Sequence, residues 1–148
     1  SLSGEYAYDR PFLWGSKRTG PDLMRVGNYR TTDWHENHMW EPSAVVPGSI
    51  MPAYRWMFKN TADIDTAYAE QVTVNKVFAV PYNQEIPMAD GTKATVKLGA
   101  TLEEAKAEAL EEAKAIAADM KNQDVKDAVA AGQIPEIVAL IAYMNSLK

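Results

Sequence analysis

Apolar positions along the second half of this chain recur at helical spacing. Leu102, Ala109, Leu110, Ala113, Ile116, Ala117 and Met120 share one side of a helix, with Glu and Lys on the other. Thr101-Leu102-Glu103-Glu104 reads as a capping box, and the helix is predicted to run to about Asn122. A short helix over Val125–Ala131 should stop at Gly132. A final one should start at Pro135 and reach Leu147, with Ile137, Leu140, Ile141 and Met144 on one face. That face is expected to pack on the 102–120 helix or on a helix over residues 64–80.

Earlier in the chain the pattern is weaker. Residues 1 to 30 are rich in Gly, Pro, Arg and aromatics and read as an ordered loop. Asp33 is predicted to cap a helix to about Trp40, stopped by Pro42, and Pro42–Val46 forms another turn. Pro47–Pro52 is an extended loop presenting Met51. Ile64–Val80 reads as a helix started near Asp63 and ended by Pro81, although Val72, Thr73, Val74 and Val77 are poor helix formers. Ile86–Met88 and Thr92–Leu98 flank Ala-Asp-Gly, which predicts a β-hairpin. There is no internal repeat and no low-complexity linker.

Composition narrows the class. The 148 residues suffice for one domain with a core, and 47% apolar with 24% charged residues is globular. A net charge of −5, without a basic stripe, argues against nucleic acid as a partner. No apolar run reaches the roughly eighteen residues of a membrane span. The first residue is Ser, so upstream sequence is expected. There is no Cys, hence no C-x-x-C-H heme attachment site, no nucleophilic thiol and no disulfide.

The chemistry-bearing residues are few. Met51 in a Pro-flanked loop offers a soft thioether, suited to an iron that cycles between oxidation states. Arg18 and Lys17 precede the Gly20-Pro21 turn, where a guanidinium can hold a carboxylate bidentately. Trp14, Tyr54 and Trp56 offer flat apolar walls. His35 and His38, three apart beside Glu36, have chelating spacing but no third ligand, and read as surface or partner-facing histidines. No phosphate loop, nucleophile elbow or triad is legible, and Glu103, Glu104, Glu108, Glu111 and Glu112 read as a solvated helix face. No catalytic residue is assigned.

A Gly-Pro-x-Leu turn followed some thirty residues later by Met-Pro resembles the way small c-type cytochromes hold the two sides of a heme. The run Tyr8-Asp9-Arg10-Pro11-Phe12-Leu13-Trp14-Gly15-Ser16-Lys17-Arg18-Thr19-Gly20-Pro21-Asp22-Leu23 resembles subunit II, the monoheme cytochrome c subunit, of cbb3-type cytochrome c oxidases. So do Asp33–His38, Val45–Pro47, and Met51-Pro52-Ala53-Tyr54 with Trp56. Ala79-Val80-Pro81-Tyr82 resembles the family's Gly-Val-Pro-Tyr, and Ile137–Met144 the closing helix of many cytochromes c.

The resemblance implies a mainly α, cytochrome c-like domain over residues 1–148. It would lack its N-terminal helix and heme-binding segment and carry a small β-hairpin insertion at about 83–122. It implies heme c in the full-length protein, with Met51 as the axial ligand of the iron and Pro21, Arg18, Trp14, Tyr54 and Trp56 around the cofactor. No heme is expected to be covalently bound to this chain. The resemblance implies that the family's attachment motif and membrane anchor would lie just upstream of Ser1. The implied function is electron transfer through the heme to the oxygen-reducing catalytic subunit, beside a diheme cytochrome subunit, on the periplasmic face of the bacterial inner membrane. Dimerisation across Trp14, Met51, Tyr54 and Trp56 is a further expectation. The alternative is a heme-free periplasmic interaction module with relic cytochrome features.

Overall fold

Thr31, not Asp33, starts the first helix: its Oγ1 accepts a hydrogen bond from the Trp34 amide at 3.2 Å. Asp33 instead supplies negative charge to the first turn of α1 (Thr32–Trp40). The helix stops because Glu41 precedes a proline, which disfavours helical backbone there; Glu41 sits at φ −149°, ψ 86°. Pro42 then opens α2 (Pro42–Val45) from its first helical position, as expected.

This is a computed structural model. It describes residues 23–87, 91, 93–95 and 97–148. Trp14, Lys17, Arg18 and Pro21, with most of the expected loop over 1–30, lie outside these residues. The described chain is mainly helical, with α3 (Ile64–Phe78), α4 (Leu102–Asp119), α5 (Gln123–Ala130) and α6 (Glu136–Ser146) following α2. Short 3-10 turns cover Val26–Asn28 and Arg55–Phe58. Residues 23–63 with 106–148 form one compact unit, and residues 64–105 belong to another.

The first unit holds nearly all of the core. Val26, Phe58, Ala113, Ile116, Ala117, Met120, Val125, Val129, Ile134, Ile137, Val138 and Ile141 are buried. The α4 stripe is therefore as expected at its C-terminal half, and residues beyond the 83–105 stretch supply real core. On α6 the buried face is Ile137, Val138 and Ile141, while Leu140 and Met144 are half-buried. The neighbours of α6 within this unit include α1 and the two 3-10 turns.

Two backbone seams join α6 to these neighbours. The Ala62 amide donates to Ile134 O at 2.8 Å and the Glu136 amide to Asn60 O at 2.9 Å. The Gly27 amide donates to Leu147 O at 2.9 Å. A Cβ at Gly27 would lie 2.6 Å from Asn145 O, so only glycine allows this approach.

In the other unit, α3 ends two residues before the expected Val80. Ala79 takes a left-handed conformation at φ 50°, and Asn75 Nδ2 donates to Val80 O at 2.8 Å. Tyr68 donates its hydroxyl to Gly99 O at 3.1 Å. The expected β-hairpin insertion is not supported. Among the described residues, pairing here is confined to Ile86 with Ala94 and Pro87 with Lys93, far short of a self-stabilising sheet. Pro87 lacks an amide to extend the ladder.

The capping box of α4 forms with a shift. The Glu104 amide donates to Thr101 Oγ1 at 3.2 Å, but Glu104 Oε2 accepts from the Ala100 amide at 3.1 Å, one residue before the cap. No described helix is long and apolar enough to cross a membrane.

Candidate functional site: the Met51 loop and the face of α1

The loop bearing Met51 is built from turn chemistry. Val46 closes on α2 through its amide to Pro42 O at 2.9 Å. Gly48 adopts φ 80°, where a side chain would be strained. The Ser49 amide donates to Val46 O at 3.0 Å, and the Met51 amide donates to Ser49 Oγ at 3.2 Å. Downstream, the Tyr54 amide donates to Met39 O at 2.8 Å, returning the chain to the end of α1.

Met51 is half-buried in this loop. Tyr54 and Trp56 stand together, ring centroids 4.9 Å apart, with Tyr54 half-buried and Trp56 49% exposed. Ile50 is fully exposed. Trp40 meets Phe58 edge-on at 5.0 Å and carries the Arg55 guanidinium 5.4 Å from its ring centroid. Three of the six expected cofactor residues, Met51, Tyr54 and Trp56, thus fall on one short stretch. Trp14, Arg18 and Pro21 lie outside the described residues.

The histidines depart from expectation. His35 is buried at 3% exposure rather than surface-facing, and His38 is half-buried. Trp34 stacks on His38 at 4.6 Å, and the Arg30 guanidinium lies 4.3 Å from the Trp34 ring centroid. Burial, then the charges of His38 and Arg30, push the His35 pKa below its ordinary value. Burial and Arg30 do the same to His38. Both imidazoles are therefore biased to the neutral form. Among the described residues, His35 Nε2 and His38 Nδ1 are buried without a hydrogen-bond partner. No group of three or more potential metal-binding His, Cys, Asp or Glu occurs among them.

Two residues with structural roles here escaped the sequence reading. Glu36 is buried and accepts from the Lys121 and Asn122 amides, both at 2.7 Å. Arg55 pairs with Glu41 and donates through Nε to Trp40 O at 3.2 Å. Ser43 donates to the same Glu41 carboxylate at 2.6 Å. The Ser43 hydroxyl and then Arg55 hold the Glu41 pKa below the usual carboxylate value. Neither role has a periodic signature, because each partner is distant in sequence or around a turn.

The donor chemistry fits one side of a heme iron: a thioether on a moored loop, flanked by apolar and aromatic side chains. No curated protein matches the chain. The family model described as cytochrome c oxidase, mono-heme subunit/FixO, matches residues 1–148. The chain belongs to the FixO family of mono-heme cytochrome c oxidase subunits, the family of the cbb3-type subunit II that its sequence resembles.

Proposed function

We propose that this chain is the electron-transferring part of a cbb3-type oxidase subunit with a cytochrome c-like fold. It receives electrons from a donor cytochrome and delivers them to the oxygen-reducing catalytic subunit. The neighbouring chains would be that subunit and a diheme cytochrome, at the periplasmic face of the inner membrane. The bound heme supplies reversible one-electron chemistry.

The residues do the rest. Met51 would present its thioether to the iron, favouring the reduced state. Tyr54 and Trp56 would cover part of the porphyrin and exclude water. Arg18 would pair with a heme propionate, and Trp14 and Pro21 would shape the opposite side. The observation that carries this reading is Met51 itself, half-buried on a loop tied at both ends to the α1–α2 segment.

The test is Met51→Ala in the complete subunit, matured with its heme. The near-infrared sulfur-to-iron band should disappear and the reduction potential should fall. Survival of the band would assign the axial position to another residue. A matured subunit with no Soret absorption would favour the heme-free interaction module instead.

A further inference from the structure

The Met51 loop is held by four consecutive residues. Pro42 O accepts from Val46 at the upstream end. Met39 O, Trp40 O and the Glu41 carboxylate hold the downstream end through Tyr54 and Arg55. The loop from Val46 to Arg55 is thereby closed onto one short segment, Met39–Pro42. Three of the four ties start from main-chain amides or end on main-chain carbonyls. The side chain of Arg55 supplies two of them at once.

We propose that Arg55 is a positioning residue for the Met51 thioether, clamping the ligand loop to the end of α1 through Glu41 and the Trp40 carbonyl. The proposal rests on the reading of Met51 as axial ligand.

Three features make Arg55 suited to the task. Its planar fork satisfies the carbonyl through Nε and the carboxylate through a terminal nitrogen, which a lysine ammonium on a flexible stem cannot reproduce. Its guanidinium also lies over Trp40, itself packed edge-on against buried Phe58. Glu41 is steadied from the other side by the Ser43 hydroxyl. Isolated surface pairs contribute little, but a network with fixed geometry contributes more. Positional control matters at this site because methionine has three rotatable side-chain bonds and does not fix its own sulfur. The backbone must do so, and a loosened loop would release the sulfur more often and yield the position to a competing ligand.

The experiment measures imidazole binding to the oxidised, heme-bearing complete subunit, together with loss of the sulfur-to-iron band on raising pH. Arg55→Gln should bind imidazole roughly three- to tenfold faster, the range set by loss of a modest exposed network. It should also lose the band at lower pH. Arg55→Lys should restore only part of the wild-type behaviour, and Glu41→Gln should fall between wild type and Arg55→Gln. Ile137→Val, a destabilising change on α6, reports global loosening. Uptake at the wild-type rate in Arg55→Gln, or equal acceleration by Ile137→Val, would overturn the clamp. The two readings separate through Met51→Ala. Persistence of the band there removes the ligand assignment and the clamp's purpose with it. Loss of the band there, with wild-type uptake in Arg55→Gln, removes the clamp alone.

Discussion

Glu36 accepts a hydrogen bond from the Asn122 amide at 2.7 Å, across 86 positions of sequence. Its other oxygen takes the Lys121 amide at the same distance. This contact explains where α4 stops. The amides that would have continued the helix turn to a buried carboxylate of α1, and Asn122 becomes the cap of α5 by accepting from the Val125 amide at 3.2 Å. Lys121 reinforces the junction by pairing with Asp33 at 2.7 Å. That pairing raises the Lys121 pKa.

Removing the Glu36 carboxylate should therefore loosen α1 from the α4–α5 junction. Glu36→Ala leaves two main-chain donors without their partner and is expected to cost about 2 to 4 kcal/mol. Glu36→Gln, which keeps one acceptor oxygen, should cost about half as much. Denaturant titration followed by tryptophan fluorescence reads both. Equal midpoints for Glu36→Ala and wild type would show that water replaces the carboxylate without loss.

His35 gives the fold a defined acid sensitivity. Its folded-state pKa is lowered, first by burial and then by His38 and Arg30. Above the ordinary value of about 6.5 both folded and unfolded states hold it neutral, and its contribution is complete. As pH falls below that value the unfolded chain binds the proton first, and stability is lost until the folded group also protonates. Unfolding midpoints should drop as pH falls below about 6.5, with a shallower drop in His35→Leu. An unchanged slope in that variant would place the acid sensitivity elsewhere.

Gly27 should tolerate no side chain. Its amide bonds Leu147 O, and an added Cβ would meet Asn145 O at 2.6 Å and Met144 O at 3.0 Å, both main-chain atoms that cannot swing aside. Gly27→Ala is expected to cost about 1 to 3 kcal/mol, the range for forced overpacking. Thermal unfolding measures it; a shift within about 0.5 kcal/mol, typical of surface changes, would mean the 26–28 turn is not pressed against α6.

Ala79 should gain from the opposite change. It occupies φ 50°, a left-handed conformation that costs a residue with a Cβ. The family motif it resembles has glycine there. Ala79→Gly should stabilise by about 0.5 to 1 kcal/mol, net of the extra freedom glycine has when unfolded. A loss of stability on calorimetry would mean that this freedom outweighs the relieved strain.

Much of the helical architecture was legible in residue order, because its causes are local. Periodicity placed the buried half of α4, Pro42 and Pro135 marked helix starts, and Gly132, at φ 84°, marked the end of α5. The turns of the Met51 loop were legible too, since Pro47, Gly48 and Pro52 are short-range signals, and Gly48 takes φ 80°. Local patterns failed where a partner came from afar. The end of α4 depended on Glu36, and the burial of His35 and Val138 on how α1 and α6 pack. The hairpin failed for the complementary reason: alternation and an Ala-Asp-Gly turn can suggest strands, but among the described residues the ladder holds two pairs, and Pro87 brings no amide to extend it. Arg55 makes the division plain. Residue order puts a cation beside the aromatic pair; the closing of the loop onto residues 39–42 is what brings that cation to Glu41 and the Trp40 carbonyl, because hydrogen-bond partners across a turn are chosen by backbone geometry.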